Sequence, residues 1–497
     1  MRRKPFMLSL MAVALVGAVL VTSSCKKEGQ QQGPDADRSL SATIIIPSNP
    51  TLSGVLGTGH NVKDTIRLTS AIGWRLSGLV YVDSADVLMI DPGTTIKGNL
   101  STGGSGVPGG GLVVCRGAKI LAQGAASSPI IFTSAATTPQ SGDWAGVIIL
   151  GNASSNTGSR VQVEGVPSNP PASATFGGTV GTVDTDNSGV FSFVRIEYAG
   201  FALSLNNEIN GLTLGGVGSG TQLDHICVYK SNDDAFEWFG GTVNASYLVA
   251  ADALDDMFDT DNGYRGTIRF ALGLSDTLRA DQSQSNGIES DNDAAGDNAA
   301  PQTHAKFRQL TIIGQPRPAS VLITNGQPSG TGKYGRAAHL RRNTEFEIDS
   351  AIFLGFNWGL SLDTSTSIAP TTPAKYKLNH ATWLQHTFAH AYFTATTPAG
   401  ISPYISENAG EPVAGTNFFV TAPARFYDYA VADGNRAYNT TNPNQNLQLG
   451  GASTNTLPFN RGAITNFVPA ALSPARNFGA FAGGSTAWTS GTWVKIQ

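Results

Sequence analysis

A shift of 22 residues lays one part of this chain on the next. It carries Asp233-Asp234-Ala235-Phe236-Glu237 onto Asp255-Asp256-Met257-Phe258-Asp259, and Gly241 onto Gly263. The same shift takes Ile226 to Leu248 and then Phe270, and Val228 to Ala250 and then Leu272. A period of this length is one coil of a parallel β-helix, whereas a propeller blade takes roughly 40 residues or more. Leucine-rich repeats share the length, but their spaced leucine and asparagine pattern is absent from the sequence. Ile226, Leu248 and Phe270 are therefore expected to stack in the interior, with Phe236 and Phe258 forming an aromatic ladder.

Around this repeat, from about residue 61, short β-branched segments alternate with Gly, Asn, Asp and Ser; Leu79 to Asp83, Val147 to Leu150 and Leu310 to Ile313 are examples. They lack a helical period. Charged residues make up only 14% of the chain and glycines number 58, which argues against a coiled coil or a charge-rich helical solenoid. The expected fold is all-β, a parallel β-helix over residues 61–365. Beyond it the pattern loosens into Pro, Thr, Ala and Asn stretches, so residues 366–497 are expected to supply long loops on the last coils and a capping segment that shields open strand edges.

The N-terminus reads as an address. Arg2, Arg3 and Lys4 precede an apolar run from Phe6 to Val21, and small residues lead to Cys25. This resembles a bacterial lipoprotein signal, with residues 1–24 removed and the Cys25 thiol acylated. Residues 25–60 then begin as a polar tether, and Lys26, in place of Asp, favours the outer membrane over inner-membrane retention. Without the leader, 29 basic residues face 36 acidic ones, giving −7 and no electrostatic footprint for nucleic acid. Cys115 and Cys227 lie in apolar, strand-like runs and are expected as buried thiols, although export would permit a disulfide.

Several segments add a family resemblance: Ile90 to Gly98, Arg116 to Gly124, Gly142 to Gly146, Glu208 to Gly218 and Asp233 to Val243, with Arg476 to Phe481 and Trp488 to Gly491 near the end. They resemble a family of secreted or lipid-anchored right-handed β-helix proteins from Gram-negative bacteria. The resemblance implies a right-handed helix and export, and it transfers no catalytic residue. Members commonly carry adhesion modules or a sorting domain; neither is seen here, so attachment is expected to rest on Cys25.

Acidic residues are concentrated. Between Leu223 and Asp297 there are fifteen Asp plus Glu against four Lys plus Arg, a local charge of −11. Stacking by the 22-residue shift brings Asp233 to Asp255, Asp234 to Asp256 and Glu237 to Asp259, one strand spacing apart. In the third coil strict spacing offers Asp281, while the local pattern Asn286 to Asn292 offers Glu289 and Asp291. Like charges so close raise one another's pKa values unless a cation neutralises them. Hard oxygen donors suit calcium, and the candidate ligands are Asp233, Asp234, Glu237, Asp255, Asp256, Asp259, Asp261, Glu289 and Asp291. The alternative is that these residues cap turns. The stretch from Asp184 fails as an EF-hand because its twelfth position is Arg195.

Other catalytic signatures are weak. His386 and His390 lack the Glu of a zinc protease motif, and Gly109 to Gly111 has no following Lys-Ser or Lys-Thr. Two functional classes remain. One is a non-catalytic envelope scaffold that binds glycan, with Trp144, Trp238, Trp358 and Trp383 as contact candidates. The other is a calcium-dependent polysaccharide lyase, for which Arg265 and Arg269 are candidate bases or, alternatively, counter-charges of the acids.

Overall fold

The computed structural model describes residues 44–356 except 59–62, 102–107, 168, 205–206, 315–331 and 333, and residues 447–497 except 452–459 and 474; between these stretches it places only the backbone of short strands. Cys25 and the tether, Trp383, His386 and the side chain of Trp358 lie outside the described residues.

The chain winds as a right-handed parallel β-helix, in which each strand pairs in parallel with the equivalent strands one coil before and after. Three strand positions recur per coil. The first two follow one another within a single long strand, as in Gly189–Glu197, Gln222–Tyr229, Ala245–Ala251 and Thr267–Leu274. The third is short, as in Leu212–Gly215, Phe236–Phe239, Phe258–Asp261 and Ile288–Ser290. Pairing already begins at Ile44–Ile45 and continues to Arg436–Asn439, so it extends on both sides of the expected limits of 61 and 365.

Inside the helix, aliphatic and aromatic side chains stack in register. Ile226 pairs with Leu248, both fully buried, and Phe236 lies on Phe258 with ring centroids 5.5 Å apart and planes 10° from parallel. Phe270, expected to continue the Ile226–Leu248 row, does not. Leu248 pairs instead with Ala271, and Ala250 with Gly273 rather than Leu272, because this coil is one residue longer. Phe270 sits at the bend between the first two strand positions with φ 55°, and the equivalent Phe193, His225, Tyr247 and Gln309 also have positive φ. A left-handed residue flips the side-chain alternation. The bend therefore sends a second ladder outward, Phe193 on His225 at 4.2 Å, His225 on Tyr247 at 4.5 Å, and Tyr247 on Phe270 at 5.0 Å. Gly241 and Gly263, superposed by the repeat, both take positive φ where the third strand turns away, and a Cβ there would meet backbone at 2.5 and 2.4 Å.

The C-terminal segment, where a cap is expected, lies partly outside the described residues. Its described part runs along the side, from Gly479, whose N–H reaches Ser350 O at 2.7 Å, to Thr492, whose N–H reaches Ala126 O at 2.7 Å. There Phe467, Phe481 and Trp493 bury themselves on Cys227, Val249, Leu272 and Ile352, the outward residues of the second strand position. Cys115 and Cys227 are both free and buried, in separate apolar clusters.

Candidate functional site: an acid-walled corner

The acidic residues meet at the corner between the second and third strand positions. Lys230–Ala235, Asp252–Met257 and Ser275–Gly287 make three stacked turns there. Asp234 and Asp256 act partly as turn caps: Asp256 N–H donates to Asp234 Oδ1 at 2.8 Å, and Asn286 N–H to Asp256 Oδ1 at 2.5 Å. Each coil thus closes the backbone of the next, as Asx side chains do in tight turns. On the outer face of the third strand, Glu237 pairs with Asp259, Asp259 with Glu289, and Glu289 with His339. Glu289 therefore continues the ladder, as the local pattern suggested, while Asp281 joins Asp255 through Ser283 Oγ, which lies 2.5 and 2.8 Å from their carboxylates.

These groups line a cavity of about 420 Å³. All nine predicted ligands border it, and so do Glu164 and Glu208, which reach in from the excursions between Leu150 and Leu212. Neither stands at a repeat offset, so no pattern in the sequence pointed to them. The counter-charges were also unforeseen. Arg341 bonds Glu289 and lies 2.8 Å from Asp291, Arg342 lies 2.7 Å from Asp291, and His339 Nδ1 is 3.1 Å from Glu289. Arg265 and Arg269 lie elsewhere: Arg265 pairs with Asp184 at 2.9 Å, and Arg269 bonds Gln309 at 2.6 Å and covers the Phe270 ring. Trp144 and Trp238 are fully buried in the core and offer no glycan platform.

Charge compensation is lopsided along the cavity. At the Arg341 end, burial works to raise Glu289, but Arg341 and His339 outweigh it and hold the carboxyl at about 2. In the two preceding coils burial dominates and neighbouring carboxylates add to it, pushing Asp233, Asp234, Glu237, Asp255, Asp256 and Asp259 well above the usual carboxylate range. Burial, then Asp291, lifts Asp261 to about 8, and burial, then Glu208, lifts Glu164 to about 7. Asp259 accepts no hydrogen bond or ion pair among the described residues, and its Oδ1 is sealed from solvent.

The donor set fits a hard divalent cation. Carboxylate oxygens of Asp233, Asp234 and Asp255 lie within 4.8 Å of one another, as do those of Asp234, Glu237 and Asp259, and those of Asp256, Asp259 and Glu289. Two oxygens each about 2.4 Å from a shared calcium ion span that distance at most.

Fold and site together define a scaffold of stacked coils with its polar chemistry gathered at one outer corner. Residues 59–417, well over half of the chain, match the pectate-lyase-like β-helix domain, and the chain belongs to that family. No curated protein and no solved structure matches it.

Proposed function

We propose that the chain is an exported, lipid-anchored β-helix protein of the Gram-negative outer membrane that binds an envelope or extracellular polysaccharide without cleaving it, and that the corner cavity holds calcium. The observation carrying this reading is the cation deficit: three overlapping carboxylate triads share a cavity whose arginines are engaged at one end. Calcium there would relieve the repulsion and leave an acidic, oxygen-rich rim suited to sugar hydroxyls, or to uronates through the ion.

Calcium-dependent lyase activity is the second reading, favoured by the family to which the chain belongs. Fold analogy alone does not supply a base. Arg341 lines the cavity, but Glu289 and Asp291 outweigh its burial and raise its pKa, which makes it a poorer proton acceptor.

Two measurements test the proposal. Calcium should raise the melting temperature and chelator should lower it, by about 2.7 kcal/mol of stabilisation at a hundredfold excess over Kd. Asp255→Asn with Asp259→Asn should remove this response in a folded protein; a wild type indifferent to calcium refutes the metal site. Turnover of uronate polymers that this double variant loses would establish the lyase instead. For the anchor, Cys25→Ser should release the protein from membranes or leave unprocessed precursor, and unchanged, processed attachment on fractionation refutes it.

A further inference from the structure

The C-terminal strap touches the cavity's supporting turns where they leave the second strand position. Arg461 bonds both Asp252 Oδ1 and the carbonyl of Ser275. Asp252, buried and with φ 60°, is where the second coil leaves its strand, three residues before Asp255. Ser275 is the corresponding exit of the next coil, on the way to Asp281. The two turns are already tied to each other and to the first: Leu254 N–H reaches Ser231 O at 3.0 Å, and Asp281 N–H reaches Leu254 O at 3.1 Å. One guanidinium therefore clasps the two strand exits from which Asp255, Asp256 and Asp281 are presented. The same strap seals Cys227, whose Sγ accepts from Lys495 N–H at 3.4 Å.

We propose that the strap is a clasp on the cavity, with Arg461 as its positioning residue, so that strap docking and cation occupancy stabilise each other. This rests on the cation reading above. A clasp that opens lets the turns at Asp252 and Ser275 separate, which spreads the carboxylates; a cation that draws them together favours the closed clasp. Such coupling is reciprocal, so the factor by which calcium suppresses opening equals the factor by which opening weakens calcium.

The protein carries its own reporter, because the Cys227 thiol reacts only when the strap lifts, while Cys115 lies in a separate cluster away from it. Thiol labelling of the full chain, resolved by peptide mass, gives both rates, and calorimetric titration with calcium gives the affinity. Arg461→Met should speed labelling of Cys227 about tenfold with Cys115 unchanged, as expected on losing a partly buried charge-assisted contact, and should weaken calcium severalfold. Arg461→Lys should recover part of both. Saturating calcium should slow Cys227 labelling in the wild type. If Arg461→Met fails to fold, Asp252→Asn loosens the same clasp from the other side and should show the same pair of effects. Faster Cys227 labelling with unchanged calcium affinity overturns the clasp and leaves the cation reading intact. A wild type with no calcium isotherm overturns the cation reading, and the clasp with it. Equal acceleration of both thiols means global loosening and also overturns the clasp.

Discussion

Two ladders stand on the outside of this helix, one aromatic and one acidic. The same repeat builds both, each side chain sitting one strand spacing from its copy in the next coil. Each is closed over by chain from outside the regular coil: the C-terminal strap lays Trp493 against Phe193 and His225, and the excursions after Leu150 bring Glu164 and Glu208 over the carboxylates. The consequences are opposite. Stacked rings gain contact and lose water, so covering them completes the fold. Stacked carboxylates lose water and repel one another, so covering them creates a demand for protons or cations. Identical geometry thus yields an apolar seam on one edge and a crowd of buried carboxylates on the other.

The largest effect should come from breaking the aromatic side. Trp493 is fully buried between Phe193, His225 and Trp488, and Trp493→Ala should destabilise by about 3–5 kcal/mol. Its melting temperature should drop in calcium and in chelator alike. A loss confined to one condition would mean that the two ladders are not separate seams.

The acidic side should show itself in pH. Its carboxyls titrate higher when folded than unfolded, so the folded chain holds extra protons between the unfolded value of about 4 and the value of about 8 at Asp261. Their contribution is fully present at the acid end and is lost as pH rises. Metal-free protein should therefore lose stability from pH 4 towards pH 8 by a few kcal/mol in sum, at about 1.4 kcal/mol for each tenfold change in a group's proton affinity. Calcium should flatten that slope. Glu289, held low by Arg341 and His339, acts in the opposite sense below pH 4, where its protonation removes stability. Denaturant midpoints across this range, with and without calcium, check the sign; a metal-free midpoint that rises from pH 5 to 8 contradicts it.

The smallest effect belongs to a charge outside both ladders. The Arg265–Asp184 pair is partly solvent-exposed, so Arg265→Met should change stability by only about 0.5 kcal/mol and leave calcium binding unchanged. A large loss of calcium affinity would show that the cavity's electrostatics reach further than its lining.

How much of this was legible beforehand differs between the two edges. The acid ladder could be read because its residues repeat at coil spacing: Glu237 and Asp259 fall in register by the shift alone, and the motif around Glu289 survives the longer turn before it. The aromatic ladder was misread at Phe270. One extra residue in its coil is invisible as a chemical pattern, yet it shifts the pairing to Ala271, and only the left-handed bend decides which side chains turn outward.

By itself the sequence determined the coil, since stacking demands the same residue type at the same offset and leaves a period that can be counted. It also determined that carboxylates would crowd at one corner. Tertiary structure alone decided how that crowd is balanced, because compensation of charge is summed over space and not along the chain. Arg341 and Arg342 reach Glu289 and Asp291 from two strands further on, whereas Arg265, only four residues beyond Asp261, turns to Asp184 instead. The same reason hid Glu164, which lines the cavity, and Arg461, which bonds Asp252 and Ser275, across sequence separations that no local pattern records.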